Sequence, residues 1–130
     1  MSVERIESEL ALLQRGFPDL EYMPAGHWTR IPTYPLPEAI WDRDSVEVCF
    51  QIPENIPAQA PYGFYVRPGL SLVNGAGIQN YTYPAPTAFG DEWGKFSWQL
   101  LVWTPNAELV AGTNMLNFAR SFIDRFREGS

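Results

Sequence analysis

The chain has 130 residues, of which 45% are apolar, and this is enough to build one domain around its own hydrophobic core. Its net charge of −6 and pI of about 4.6 argue against nucleic acid as a partner, because an acidic surface repels phosphate groups. A single Cys and a single His exclude an internal disulfide and disfavour a zinc site, so we expect no metal and no cofactor.

The N-terminal segment, residues 2–14, has the periodicity of an amphipathic helix, and Gly16 and Pro18 then end the pattern. The apolar residues that recur at spacings of three and four are Val3, Ile6, Leu10 and Leu13. The opposite, polar face is predicted to carry Arg5 and Glu9. This segment lacks the charged-then-apolar pattern of a secretory signal, so we expect a cytoplasmic protein.

The middle of the chain is predicted to consist of strands and turns. Residues 22–32 are predicted to be extended and to stop at a group of prolines. Residues 45–52 alternate strictly between apolar and polar side chains, and residues 62–66 follow as a second strand after a proline-rich turn. Residues 74–90, rich in Gly, Pro and Tyr, are predicted to form a long irregular loop.

Helical spacing returns over residues 113–126, where Thr113 or Asn114 is placed to cap the helix. No apolar run approaches the ~20 residues of a membrane span, so no membrane contact is expected. Sequential strands between two terminal helices predict an α+β fold, with an antiparallel meander of about four strands. We expect residues 1–130 to form one domain.

The proline-rich turn and its flanking strands resemble a segment of the ubiquitin-conjugating enzyme superfamily. The stretch SVEVCFQIPENIPAQAPYGFYV is similar to the third strand, turn and fourth strand of that fold, with Pro53, Pro57 and Pro61 at matching places. Ile56 stands where the family usually has Tyr. The resemblance extends over roughly residues 1–127 and is nearest to divergent bacterial members of the prokaryotic family E type.

A second resemblance lies in the stretch GKFSWQLLVWTP. The family's catalytic segment has the form Gly-Lys-Ile-Cys-Leu, followed by Trp-Ser-Pro. Residues 94–96 match its first three positions, and residues 103–105 match Trp-Ser-Pro at a shorter spacing. Ser97 therefore falls where the catalytic Cys would be. The family's His-Pro-Asn motif is absent, and the corresponding region supplies only Asn80.

The resemblance implies a component of a bacterial ubiquitin-like conjugation system, with a ubiquitin-like protein and an activating enzyme as partners. Two interpretations of Ser97 stay open. It is either an acceptor that forms an oxyester with the modifier, or a plain polar residue in a non-catalytic interaction module that shares the fold. An acceptor serine requires a positioned base, for which Asp91 and Glu92 are the nearest candidates.

The remaining candidates also have two interpretations each. Asn80 is either an oxyanion donor, as the family motif implies, or a turn residue. His27 is either a distant base or a hydrogen-bonded structural residue, which we favour. Cys49 is either a displaced catalytic thiol or, as we expect, an inert strand residue. By resemblance, the N-terminal helix contacts the activating enzyme through Arg5 and Glu9.

Overall fold

A long helix, a six-stranded sheet and a second long helix follow one another along the chain. The computed structural model describes residues 3–67 and 69–130. Residue 2, the predicted start of the first helix, lies outside them. A short 3-10 helix, Leu109–Ala111, precedes the last element. The long elements are α1 (Val3–Gly16), β1 (Glu21–Met23), β2 (Trp28–Pro35), β3 (Ser45–Gln51), β4 (Phe64–Arg67), β5 (Tyr81–Thr87), β6 (Gly90–Phe96) and α2 (Met115–Glu128).

All six strands pair antiparallel in the order β1-β2-β3-β4-β6-β5. The predicted α+β class and the two terminal helices are confirmed, and so is the pairing of β3 with β4, in which Val48 lies opposite Val66. The alternation in β3 buries Val46, Val48 and Phe50 on one face. The predicted number of about four strands was too low.

Proline hid part of the strand structure from the sequence prediction. The predicted loop at residues 74–90 contains β5, which forms a hairpin with β6. Pro84 and Pro86 lie within β5, which an edge strand tolerates because its outer side needs no ladder hydrogen bonds. Similarly, β2 continues past Pro32 to Pro35, and its pairing with β3 shifts between Ile31 and Tyr34. Strand pairing therefore continues beyond the prolines, with shifts in register, and does not end at them.

The hairpin is closed at its base by Tyr81, which crosses a glycine on the neighbouring strand. The Tyr81 hydroxyl accepts a hydrogen bond from the Leu70 N–H at 3.1 Å. A Cβ atom at Gly94 would overlap this hydroxyl, so only glycine lets the ring lie there. This packing joins β5 and β6 to the segment that follows β4.

Helix α2 lies against the centre of the sheet through a layer of aromatic rings. Phe122 stacks on Phe64 with ring centroids 4.0 Å apart. The Tyr34 hydroxyl donates to the Ala119 carbonyl at 2.7 Å, and Trp41 Nε1 donates to the Phe126 carbonyl at 2.9 Å. Further fully buried rings of this layer are Phe50, Phe96, Phe118 and Phe126. The apolar layer thus fixes both the height and the direction of α2.

The N-terminus of α2 begins with Asn114, as predicted, in a reciprocal cap with Asn117. A carboxylate from α1 completes it. Glu9 is fully buried and accepts hydrogen bonds from the Met115 N–H at 2.8 Å and from Arg5 Nε at 2.9 Å. A carboxylate is favoured at this end of a helix by the helix dipole.

The prediction that Arg5 and Glu9 share an exposed polar face is therefore wrong. Besides its pair with Glu9, Arg5 donates from Nη1 to the Asn106 carbonyl at 2.7 Å, and only 10% of its side chain is exposed. Helical spacing placed Glu9 on the polar face of α1. In the structure this position faces α2, and the carboxylate is paired with the Met115 N–H and with Arg5. The pair joins α1 to α2.

Replacing Glu9 with Ala should reduce the free energy of unfolding by about 3 kcal/mol, because a buried cation loses its carboxylate and a buried N–H loses its acceptor. Urea denaturation measures this change. Glu7→Ala, at an exposed position of the same helix, is the matched control and should stay within about 0.5 kcal/mol of the wild type. Equal effects of the two substitutions would contradict the assigned role.

Candidate functional site

Ser97 and Asn80 meet at the open end of the β5–β6 hairpin. Tyr81 is paired with Phe96 in the ladder, so the residues just outside that pair lie next to each other. The Ser97 N–H donates to the Asn80 carbonyl at 2.9 Å, and both residues are exposed. Asn80 has a φ of 55°, a left-handed conformation that Asn tolerates better than most residues. The structure thus brings two of the predicted site residues together.

The residue that follows Ser97 is anchored to α2. Trp98 Nε1 donates to the Ser121 hydroxyl at 2.9 Å, and that hydroxyl donates to the Phe118 carbonyl at 2.6 Å. Ser121 is nearly buried. Its position in the middle of an apolar helical pattern gives no sequence signal beyond one small polar residue among large ones. The anchor keeps the backbone of Ser97 at the surface while Trp98 packs inward.

Residues 98–102 then form an apolar rim, which we call the 98–102 rim. Leu101 and Val102 are exposed to 102% and 63%. The next residue, Trp103, anchors the end of the rim, because its Nε1 donates to the Pro57 carbonyl at 2.9 Å. A groove of about 540 Å³ separates the rim from α2, where Asp124 and Glu128 line it. Exposed apolar side chains beside a groove are typical of protein contact sites.

Asp91 and Glu92, the predicted bases, lie at the other end of β6. Both are exposed, near the hairpin turn. A strand advances about 3.3 Å per residue, so the Cα atoms of the two residues are about 16–20 Å from that of Ser97. Because β6 is an extended strand, it holds Asp91 and Glu92 far from the hydroxyl that they were expected to activate. A loop could have folded back and brought them close.

His27 is hydrogen-bonded within its own turn. Its Nδ1 lies 2.8 Å from the Tyr22 hydroxyl, and its carbonyl accepts from the Ile52 N–H at 2.9 Å. Its φ of 56° places it in the turn between β1 and β2. Three strand spacings, about 14 Å in all, separate β2 from β6. The structure gives His27 the structural role that we favoured.

Cys49 is fully buried on β3, on the face of the sheet opposite α2. Burial raises the pKa of its thiol far above the ordinary value, an effect larger than that of its hydrogen bond with Thr87. A thiol that does not ionise is neither a good nucleophile nor accessible to a partner. Cys49 is the inert strand residue that we expected.

Comparison with known proteins gives one match. A model of the family described as prokaryotic E2 family E matches residues 9–118, which include all six strands and the Ser97–Asn80 pair. No curated protein and no solved structure matches the chain significantly.

Within residues 3–67 and 69–130, no helix has the length and apolar character needed to cross a membrane. The same residues hold no group of three or more side chains suited to a metal ion.

The contrast between Ser97 and Cys49 is testable with thiol reagents. Native wild-type protein should react with 5,5′-dithiobis(2-nitrobenzoate) only as fast as it unfolds, because Cys49 is buried and its pKa is raised. Ser97→Cys should add one thiol that reacts at least a hundredfold faster. Cys49 serves as the internal control in the same molecule, and the absorbance of the released anion gives the rate. Similar rates for the two thiols would contradict the exposed placement of residue 97.

Proposed function

Because the chain belongs to the prokaryotic E2 family E, we propose that it is a carrier in a ubiquitin-like conjugation system. In this proposal, Ser97 accepts the C-terminal carboxyl group of a ubiquitin-like modifier from an activating enzyme. The observation that carries the proposal is the exposure of Ser97 immediately after β6, at the position that resembles the catalytic Cys of ubiquitin-conjugating enzymes.

The proposed step is an acyl transfer. The Ser97 Oγ attacks the activated carbonyl carbon of the modifier, and a C–O ester bond forms as the bond to the leaving group of the activating enzyme breaks. The hydroxyl proton leaves with that group, so the step needs no oxidant or metal. Asn80 supports the proposal, because it is exposed and its backbone carbonyl pairs with the Ser97 N–H, and an amide donor near the reacting carbonyl stabilises the developing oxyanion.

The separation of Asp91 and Glu92 from Ser97 favours a second candidate function. A serine nucleophile without a nearby base in its own chain reacts slowly unless a partner supplies that base. In the alternative, the protein is a non-catalytic adaptor that binds the modifier or the activating enzyme through the same surface. The two functions differ in whether a covalent adduct forms.

The 98–102 rim is the partner surface in both candidate functions. It begins directly after Ser97, and its exposed apolar side chains are suited to bury against another protein. We assign the first contact with the modifier to Leu101 and Val102. The separate prediction that Arg5 and Glu9 contact the activating enzyme is not part of this proposal, because Glu9 is buried.

Incubation with the activating enzyme, ATP and the modifier should give an adduct that resists thiol reductants and is cleaved by hydroxide. Ser97→Ala should abolish the adduct. Ser97→Cys should give a reductant-sensitive adduct, because thioesters exchange with free thiols. Denaturing gels with and without reductant distinguish these outcomes. Absence of an adduct with the wild type, together with conjugation that persists in Ser97→Ala, would establish the adaptor function instead.

Substitution of Leu101 by Ser should weaken capture of the modifier without changing the chemistry at Ser97. We expect the half-saturating concentration to rise roughly fivefold or more, which corresponds to about 1 kcal/mol, at an unchanged maximal rate. Val110→Ser is the matched control, since Val110 is 75% exposed but belongs to the short helix before α2. Equal effects of the two substitutions would remove the rim from the interface.

A further inference from the structure

Arg125 is a buried cation on α2 that contacts both chain segments at the open end of the β5–β6 hairpin. It is only 3% exposed. Its Nη2 donates to the Gln79 carbonyl at 2.7 Å, and its Nη1 donates to the Gly129 carbonyl at 2.8 Å. The guanidinium lies over the Phe96 ring, 4.8 Å from the centroid. Gln79 directly precedes Asn80, and Phe96 directly precedes Ser97.

The burial of this charge is energetically costly. Desolvation lowers the pKa of Arg125, and the neighbouring carboxylate of Glu128 offsets this only in part. Glu128 is 3.9 Å away and more than half exposed, which makes it a weak partner. The guanidinium is therefore satisfied mainly by backbone carbonyls and an aromatic face, and the two-carbonyl contact requires the planar fork of Arg.

Helix α2 thus holds the chain on both sides of Ser97. Ser121, one helical turn before Arg125, anchors Trp98. Arg125 anchors Phe96 and the Gln79 carbonyl. The hydrogen bond from the Ser97 N–H to the Asn80 carbonyl lies between these anchors.

We propose that Arg125 is the positioning residue of the Ser97 site, acting through Gln79 and Phe96 to hold Asn80 against Ser97. It does not touch the substrate. The catalytic part of this inference rests on the proposed function of Ser97, whereas the geometric part does not.

Amide hydrogen exchange tests the geometric part without any partner. In Arg125→Met, the Ser97 amide should exchange at least tenfold faster, while the β3 amides keep the protection expected from the global stability of the variant. Arg127→Met is the matched control, because Arg127 lies on the same helix with 67% of its side chain exposed. It should leave the Ser97 amide unchanged.

Acyl transfer under saturating modifier tests the catalytic part. The single-turnover rate in Arg125→Met should fall at least tenfold, with a half-saturating concentration within twofold of the wild type. Arg125→Lys keeps the positive charge but loses the planar guanidinium that bonds two carbonyls. Its rate should lie between that of the wild type and that of Arg125→Met. If Arg125→Met does not fold, Arg125→Lys carries both measurements, with a smaller increase in Ser97 amide exchange.

Unchanged exchange at the Ser97 amide, or loss of the fold in both variants, would overturn the positioning role. An equal loss of rate in Arg127→Met would overturn it too, because bulk charge would then be the cause. If the wild type forms no adduct, the proposed function fails, and the exchange data alone decide whether Arg125 holds the turn.

Discussion

The stack of Phe122 on Phe64 is the contact on which the rest of the structure depends. It lies at the centre of an aromatic layer between α2 and the sheet, and it fixes the face that α2 turns toward β4 and β6. Burial of aromatic rings supplies a large driving force per residue, which suits a chain with 15% aromatic residues. The N-terminus of α2 is fixed by Glu9 from α1, so the helix is held at its start and along its length.

The position of α2 in turn determines the environment of Ser97. Residues one turn apart on the helix, Ser121 and Arg125, contact the two neighbours of Ser97. The serine is left at the surface because both neighbours point inward. The strand pairing of Tyr81 with Phe96 brings Asn80 to the same place from a distant part of the chain. In the proposed function, this arrangement holds the backbone of the attacking residue in place, and orientation of the reacting groups lowers the barrier to acyl transfer.

The sequence was most informative where one physical rule dominated. Strict alternation predicted β3, and the apolar spacing together with Asn114 predicted α2. Proline masked β5, since an edge position tolerates residues that a central strand does not. The role of Glu9 was not predictable, because its partner Met115 lies 106 residues away. Only the family resemblance linked Asn80 to Ser97, because hairpin register joins the two residues and β5 lies in a segment that the sequence predicts to be a loop.

The central claim is that Ser97, held in place by α2, carries the modifier. The most direct test is peptide mass spectrometry of the protein after reaction with activating enzyme, ATP and modifier, under acidic conditions that preserve esters. The account predicts a remnant of the modifier's C-terminus attached at Ser97 in the peptide that also contains Trp98. A remnant attached to another residue, or an unmodified Ser97 peptide at full recovery, would contradict it.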